Sequence, residues 1–146
     1  MTSLAGYPYV PDALKRRRHS LADEFHVLLK DGGLAQAQAR IAARPELLAE
    51  LLPIVANPEA SINVRLGASV IFENHAGGAA LQALVPRLGE LARHADARVR
   101  ADACHYLGLS GDRRARSHLL PRLQDESAEV REIAADSLEV LPADPS

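Results

Sequence analysis

Asp96-Ala97-Arg98-Val99-Arg100-Ala101-Asp102-Ala103, continuing to Leu107-Gly108-Leu109-Ser110-Gly111-Asp112, is the stretch whose reading decides the fold. Val99, Ala103 and Leu107 recur every fourth residue, which lines them along one side of a helix. The same order returns downstream as Leu120-Pro121-Arg122-Leu123, a polar turn, Val130-Arg131, Ala134 and Leu138. Upstream it reads Leu52-Pro53-Ile54-Val55, Val64-Arg65, Ala68 and Phe72, with Val85-Pro86-Arg87-Leu88 opening the central copy. The prolines are spaced 33 and 35 residues apart, and the Val-Arg pairs 35 and 31. Several aligned features in three copies define a repeat, and a repeat sets the architecture before any single element does.

Each copy reads as a helical hairpin whose second helix carries the valine, alanine and leucine or phenylalanine stripe. Alanine in mid-helix lets neighbouring hairpins approach closely. One hairpin cannot cover its own apolar side, so the copies must stack and share a core. Gly108 and Gly111 are expected to end one hairpin, with Asp112 capping the next helix. Gly77-Gly78 does the same one repeat earlier.

Outward from the repeats, the chain divides into an irregular arm over 1–10, a degenerate capping hairpin over 11–44, three repeats over 45–141 and a tail over 142–146. Within the second of these, one helix is expected from Pro11 to Lys30, ended by Asp31-Gly32-Gly33, and another from Leu34 to Ala43. The arm residues Tyr7-Pro8-Tyr9-Val10-Pro11 gain from burial, so they are expected to fold back over the first hairpin. The composition agrees with helices. Among 146 residues, alanine and leucine supply 26 and 22, while valine, isoleucine and threonine together supply 15. Strands would draw on the latter group. The fold class is therefore all-α, an α-α superhelix of about four helical hairpins.

The residues just quoted resemble HEAT repeats, in particular the short, lyase-type subgroup first associated with phycobilisome lyase subunits. The stretch 96–112 carries the resemblance best, and Asp125-Glu126-Ser127-Ala128-Glu129-Val130-Arg131-Glu132-Ile133-Ala134-Ala135 nearly as well. The first copy departs from the pattern, since Asn57-Pro58-Glu59-Ala60-Ser61 lengthens its turn and Phe72-Glu73-Asn74-His75 replaces the small-residue ending. The resemblance implies an α-solenoid that offers the concave face lined by its second helices to a partner. It also admits a tetrapyrrole (bilin) lyase or chaperone subunit as an alternative. An accessory domain of a neighbouring enzyme is a further one.

Removing the core stripe leaves the expected concave surface. It runs through Asn63, Leu66, Val70, Glu73 and Asn74, then Arg98, Ala101, Asp102 and His105, then Glu129, Glu132, Asp136 and Glu139. Leu66 and Val70 would form a small apolar contact site. The recurring Arg65, Arg100 and Arg131 are expected to form a structural ladder with acidic turn residues such as Asp96 and Asp125. Charge is graded along the chain: residues 119–146 carry two arginines and seven acids, while the whole chain stands at −2.

Catalytic and cofactor chemistry finds no convergent set. None of the six histidines (His19, His26, His75, His94, His105, His118) lies three or four residues from another, so no helix presents a two-histidine metal grip. The His-Glu pairs of the iron-binding HEAT enzymes that resemble deoxyhypusine hydroxylase are replaced here by Arg100-Ala101-Asp102. The lone Cys104 is expected in the core. No catalytic residue, metal site or cofactor is expected. Nucleic acid is a poor match for an acidic surface with five aromatic residues and no tryptophan. The run Lys15-Arg16-Arg17-Arg18 reads as a solvated helix face or a patch for an acidic partner. Neither an export signal nor an apolar membrane span is legible, and cytoplasm is the expected compartment. The expected role is a non-catalytic protein-binding adaptor or scaffold, its partner another protein.

Overall fold

The computed structural model describes residues 20–143, and these form helices, tight helical turns and loops with no strand among them. The elements in chain order are α1 (Leu21–Lys30), α2 (Leu34–Ala43), a 3-10 segment (Pro45–Leu51) running into α3 (Leu52–Val55), and α4 (Ile62–Asn74). Then come α5 (Ala79–Gln82), α6 (Val85–Leu91) and α7 (Ala97–Leu109). The last hairpin has a broken first helix, with 3-10 turns at Arg113–Ala115 and Leu120–Gln124 around α8 (Arg116–Leu119), followed by α9 (Ala128–Val140).

The repeat prolines explain why first helices are broken and second helices are not. Pro53, Pro86 and Pro121 each stand in the first two positions of a new helical segment. A proline there has no N–H to donate, and its ring crowds the carbonyl one turn back. The chain tightens to compensate: the Leu84 N–H donates to the Leu81 carbonyl at 2.9 Å. Without a proline, α4, α7 and α9 each run 13 residues unbroken. Their caps are equivalent too. Ser61, Asp96 and Ser127 accept from the backbone N–H of Val64, Val99 and Val130, the valine that opens each stripe.

Stacking buries the stripes as the periodicity requires. Val64, Ala68 and Phe72, then Val99, Ala103 and Leu107, then Val130 and Ala134 are all buried, together with Leu48, Leu51, Leu81, Leu88 and Leu119 from the first helices. α7 and α9 pack closely because small residues face each other. A Cβ placed on Gly108 would lie 2.7 Å from the Ser137 Cβ and 3.0 Å from its Cα. The Ser137 hydroxyl, buried in the same seam, donates to the Cys104 carbonyl at 2.9 Å.

Three expectations need correction. Gly108 lies inside α7 and serves this close approach; Gly111, at φ 64°, makes the left-handed turn that ends the hairpin. Ala101 is 2% exposed, so it is not on the open side. It shares one side of α7 with Cys104 and Gly108, and that is the side α9 packs against. Leucine at either Ala101 or Ala103 would therefore overpack the core. The helix expected to run from Pro11 to Lys30 begins at Leu21, capped by Ser20, whose backbone is extended (φ −68°, ψ 161°). Ser20 and Asp23 cap reciprocally, at 3.1 and 3.2 Å. Pro11–His19, the 1–10 arm with its tyrosines, the Lys15–Arg18 run and the last three tail residues lie outside the described residues.

Candidate protein-binding surface

Two of the three repeat arginines do the same local job. From Arg100, Nη1 donates to the carbonyls of His94 and Ala95, both at 2.9 Å, and the Arg131 Nη1 donates to the equivalent Asp125 carbonyl at 2.6 Å. Each arginine thereby ties its helix back to the turn that precedes it. The salt-bridge ladder, however, has one rung of the expected kind. Arg100 grips Asp125 with two hydrogen bonds, Nε to Oδ2 at 2.9 Å and Nη2 to Oδ1 at 3.0 Å. Arg122 adds a third, at 3.0 Å.

Arg65 pairs instead with Asp102 on α7, at 3.0 Å, and Asp96 spends its carboxylate on capping α7. The reason lies in the turn. The position occupied by Asp125 in the last repeat holds His94 in the central one. His94 reproduces the turn hydrogen bond, accepting at Nδ1 from the Asp96 N–H at 3.0 Å, but has no negative charge to offer. Arg131 belongs to the last of the described hairpins.

The second helices leave an open side of uneven width. On α7, flanked by α4 and α9, a narrow strip of Arg98, Asp102, His105 and Leu109 reaches solvent, with Ala97 at its start. Of these, His105 is exposed, Asp102 is half-buried under Arg65, and Arg98 donates to the Pro58 carbonyl of the preceding turn. On α4, Asn63, Leu66, Glu73 and Asn74 are exposed and Val70 is half-buried. Ile62 joins them and was not among the expected residues. It is 60% exposed and Leu66 57%, so Ile62, Leu66 and Val70 form a continuous apolar stripe at four-residue spacing. The signal was present in the sequence as that spacing.

On α9, Glu129, Glu132, Asp136 and Glu139 are all exposed. By repeat register, Glu132 and Glu139 stand where α7 has Ala101 and Gly108. They therefore line the α9 edge of the described stack, and Glu129 and Asp136 continue the strip of Arg98 and His105.

The same register shows that the α4–α7 seam is offset. Leu66, Ser69 and Glu73 correspond to Ala101, Cys104 and Gly108, the small residues that α7 buries against α9. On α4 two of these positions are large, and both are exposed. α7 reaches α4 by its neighbouring side, where Phe72 stacks on Tyr106 with ring centroids 4.1 Å apart and Arg65 meets Asp102. Burial pushes the Tyr106 phenol up to about 12, against a weaker downward pull from Ser69.

Burial likewise pushes the Cys104 thiol up to about 12, which makes it a core residue in chemistry as well as position. Among the described residues no group of three or more His, Cys, Asp or Glu side chains is placed to hold a metal ion. No helix among them is long and apolar enough to cross a membrane.

Broken first helices, unbroken second helices and a shared core through three stacked hairpins define an α-solenoid. A family model of HEAT repeats matches residues 48–139, more than half of the chain, and the chain belongs to the HEAT repeat family. No curated protein and no solved structure matches it.

Proposed function

We propose that the protein is a non-catalytic binding module that holds another protein against the open side of its second helices. The carrying observation is the Ile62, Leu66, Val70 stripe. Ile62 and Leu66, large apolar side chains more than half exposed on a packed inner helix, cost solubility, and a helix that is apolar on both its core side and its outer side is suited to a partner. The family supports the reading, since HEAT repeats are generally interaction scaffolds. The charged side chains nearby mostly hold the solenoid itself together: Arg100 with Asp125, Arg65 with Asp102, and Arg98 with a turn carbonyl.

A pull-down from the native host at physiological salt tests this. The expected result is a defined protein retained by the wild type and lost from an Ile62→Ser, Leu66→Ser double variant that melts normally. Equal retention by both forms would reject this surface. Membership of the short lyase-type subgroup rests on the stretch 96–112. An added bilin whose absorbance shifts on mixing would favour that subgroup's chemistry over docking.

A further inference from the structure

We infer that the partner element is a positively charged amphipathic helix, lying along α4 with its apolar side on Ile62 and Leu66. This rests on the docking reading above and adds the partner's form and charge. The form follows from the repeat register. The side of α7 formed by Ala101, Cys104 and Gly108 is occupied by a helix of the same chain, α9. On the corresponding side of α4 Ser69 meets Tyr106 of α7, but Leu66 and Glu73 stay exposed because α7 approaches mainly through Phe72 and Arg65. A straight apolar stripe at four-residue spacing is a ridge, and the ordinary complement of a helix ridge is the groove of another helix. From Ile62 to Val70 it spans about 12 Å, a little over two turns.

The charge follows from counting what is already paired. The cations of α4, α7 and α9 are Arg65, Arg98, Arg100 and Arg131; Arg65 and Arg100 are paired with carboxylates, while Arg98 and Arg131 donate to neutral carbonyls and keep their charge. Glu73, Glu129, Glu132, Asp136 and Glu139 on the same helices make no ion pair among the described residues. On the open side five unpaired acids thus outweigh two uncompensated cations, with Glu73 beside the stripe on its own helix and the other four on α9. Lysine and arginine flanking an apolar side meet that surface; acidic peptides and anionic lipid surfaces are repelled by it.

The probes are two labelled 18-residue peptides with the same leucine face, one carrying lysine and the other glutamate on its polar face. Each is titrated by fluorescence anisotropy into the full chain. The lysine peptide should bind saturably, one per chain, at least tenfold tighter than the glutamate peptide. Its affinity should fall at least tenfold in Ile62→Ser, Leu66→Ser, and several-fold in Glu73→Gln, with the latter loss vanishing at high salt. Equal affinity for both peptides, lost in the double serine variant, would overturn the charge selection while leaving docking on α4 intact. Binding unchanged in the double serine variant would overturn both the helix site and the docking surface. Binding of neither peptide would overturn the inferred form, and the pull-down would then judge the docking surface separately.

Discussion

Asp125 is the side chain on which the last two hairpins most depend. It accepts from Arg100 twice, from Arg122 and from the Ser127 N–H, and its side chain is 2% exposed. The Arg100 hydrogen bonds, followed by the Ser127 N–H and the arginine charges, hold its carboxyl below the usual carboxylate range despite burial. Asp125→Ala would leave Arg100 buried without its counter-charge. The expected cost is about 3 kcal/mol, at the low end for such pairs because the exposed Glu126 stands 3.7 Å from Arg100. Denaturant melts at neutral pH measure it.

The pH dependence has a definite sign. A carboxyl depressed in the fold contributes stability that is present above its unfolded value of about 3.9, and that is lost as pH falls through its lower folded value. Below about pH 4 the wild type should therefore lose stability more steeply than Asp125→Asn. Cys104 supplies a second residue-level expectation. With its thiol buried and pushed up to about 12, it should not react with a disulfide reagent at mildly alkaline pH until the protein unfolds. Labelling of the native protein at a free-thiol rate would contradict the buried seam.

At the scale of elements, the seam between α7 and α9 makes a prediction that depends on what can move. A methyl on Gly108 would press on the Ser137 Cβ and on its Cα, so α9 itself would have to shift. The nearest atoms to a methyl on Gly89 all belong to the His118 ring, at 2.4 to 2.6 Å, and that side chain can swing aside about its Cα–Cβ bond without moving its backbone. Gly108→Ala should cost about 1–3 kcal/mol. In Gly89→Ala the gain in helix propensity, about 1 kcal/mol, offsets much of the clash. Thermal melts that ranked the two the other way would mean the seam is looser than described.

Element boundaries were legible wherever local chemistry decides them. The repeat prolines and the start of α2 follow from single residues and their neighbours; the Ser61, Asp96 and Ser127 caps are of the same local kind but are not among the expected ones. Ser20 is a capping residue of the same kind, followed by Asp23, and reading Pro11 to Lys30 as one helix passed over it. Ala101 was not legible. Periodicity tells which residues share a side of a helix, but the number of sides that neighbours cover is a property of the stack. The partner of Arg65 stood between these cases. The histidine at position 94 announces that the expected acid is missing, yet only the approach of α7 brings Asp102 within 3.0 Å.

In the whole molecule, two seams built from the same repeat position differ. Ala101 is closed in by α9; Leu66, its counterpart, stays open to solvent and available to a partner. The family, the stripe and the charge balance all bear on function through that one difference. It is tested most directly by the thermal midpoints of Leu66→Asp and Ala101→Asp. A carboxylate at an exposed site changes stability by about 0.5 kcal/mol or less, whereas one forced without a partner into a packed seam costs several-fold more. Leu66→Asp should melt near the wild-type midpoint, and Ala101→Asp should melt far below it. Equal falls would show that α4 and α7 close over Leu66 in solution, which would contradict the open docking surface.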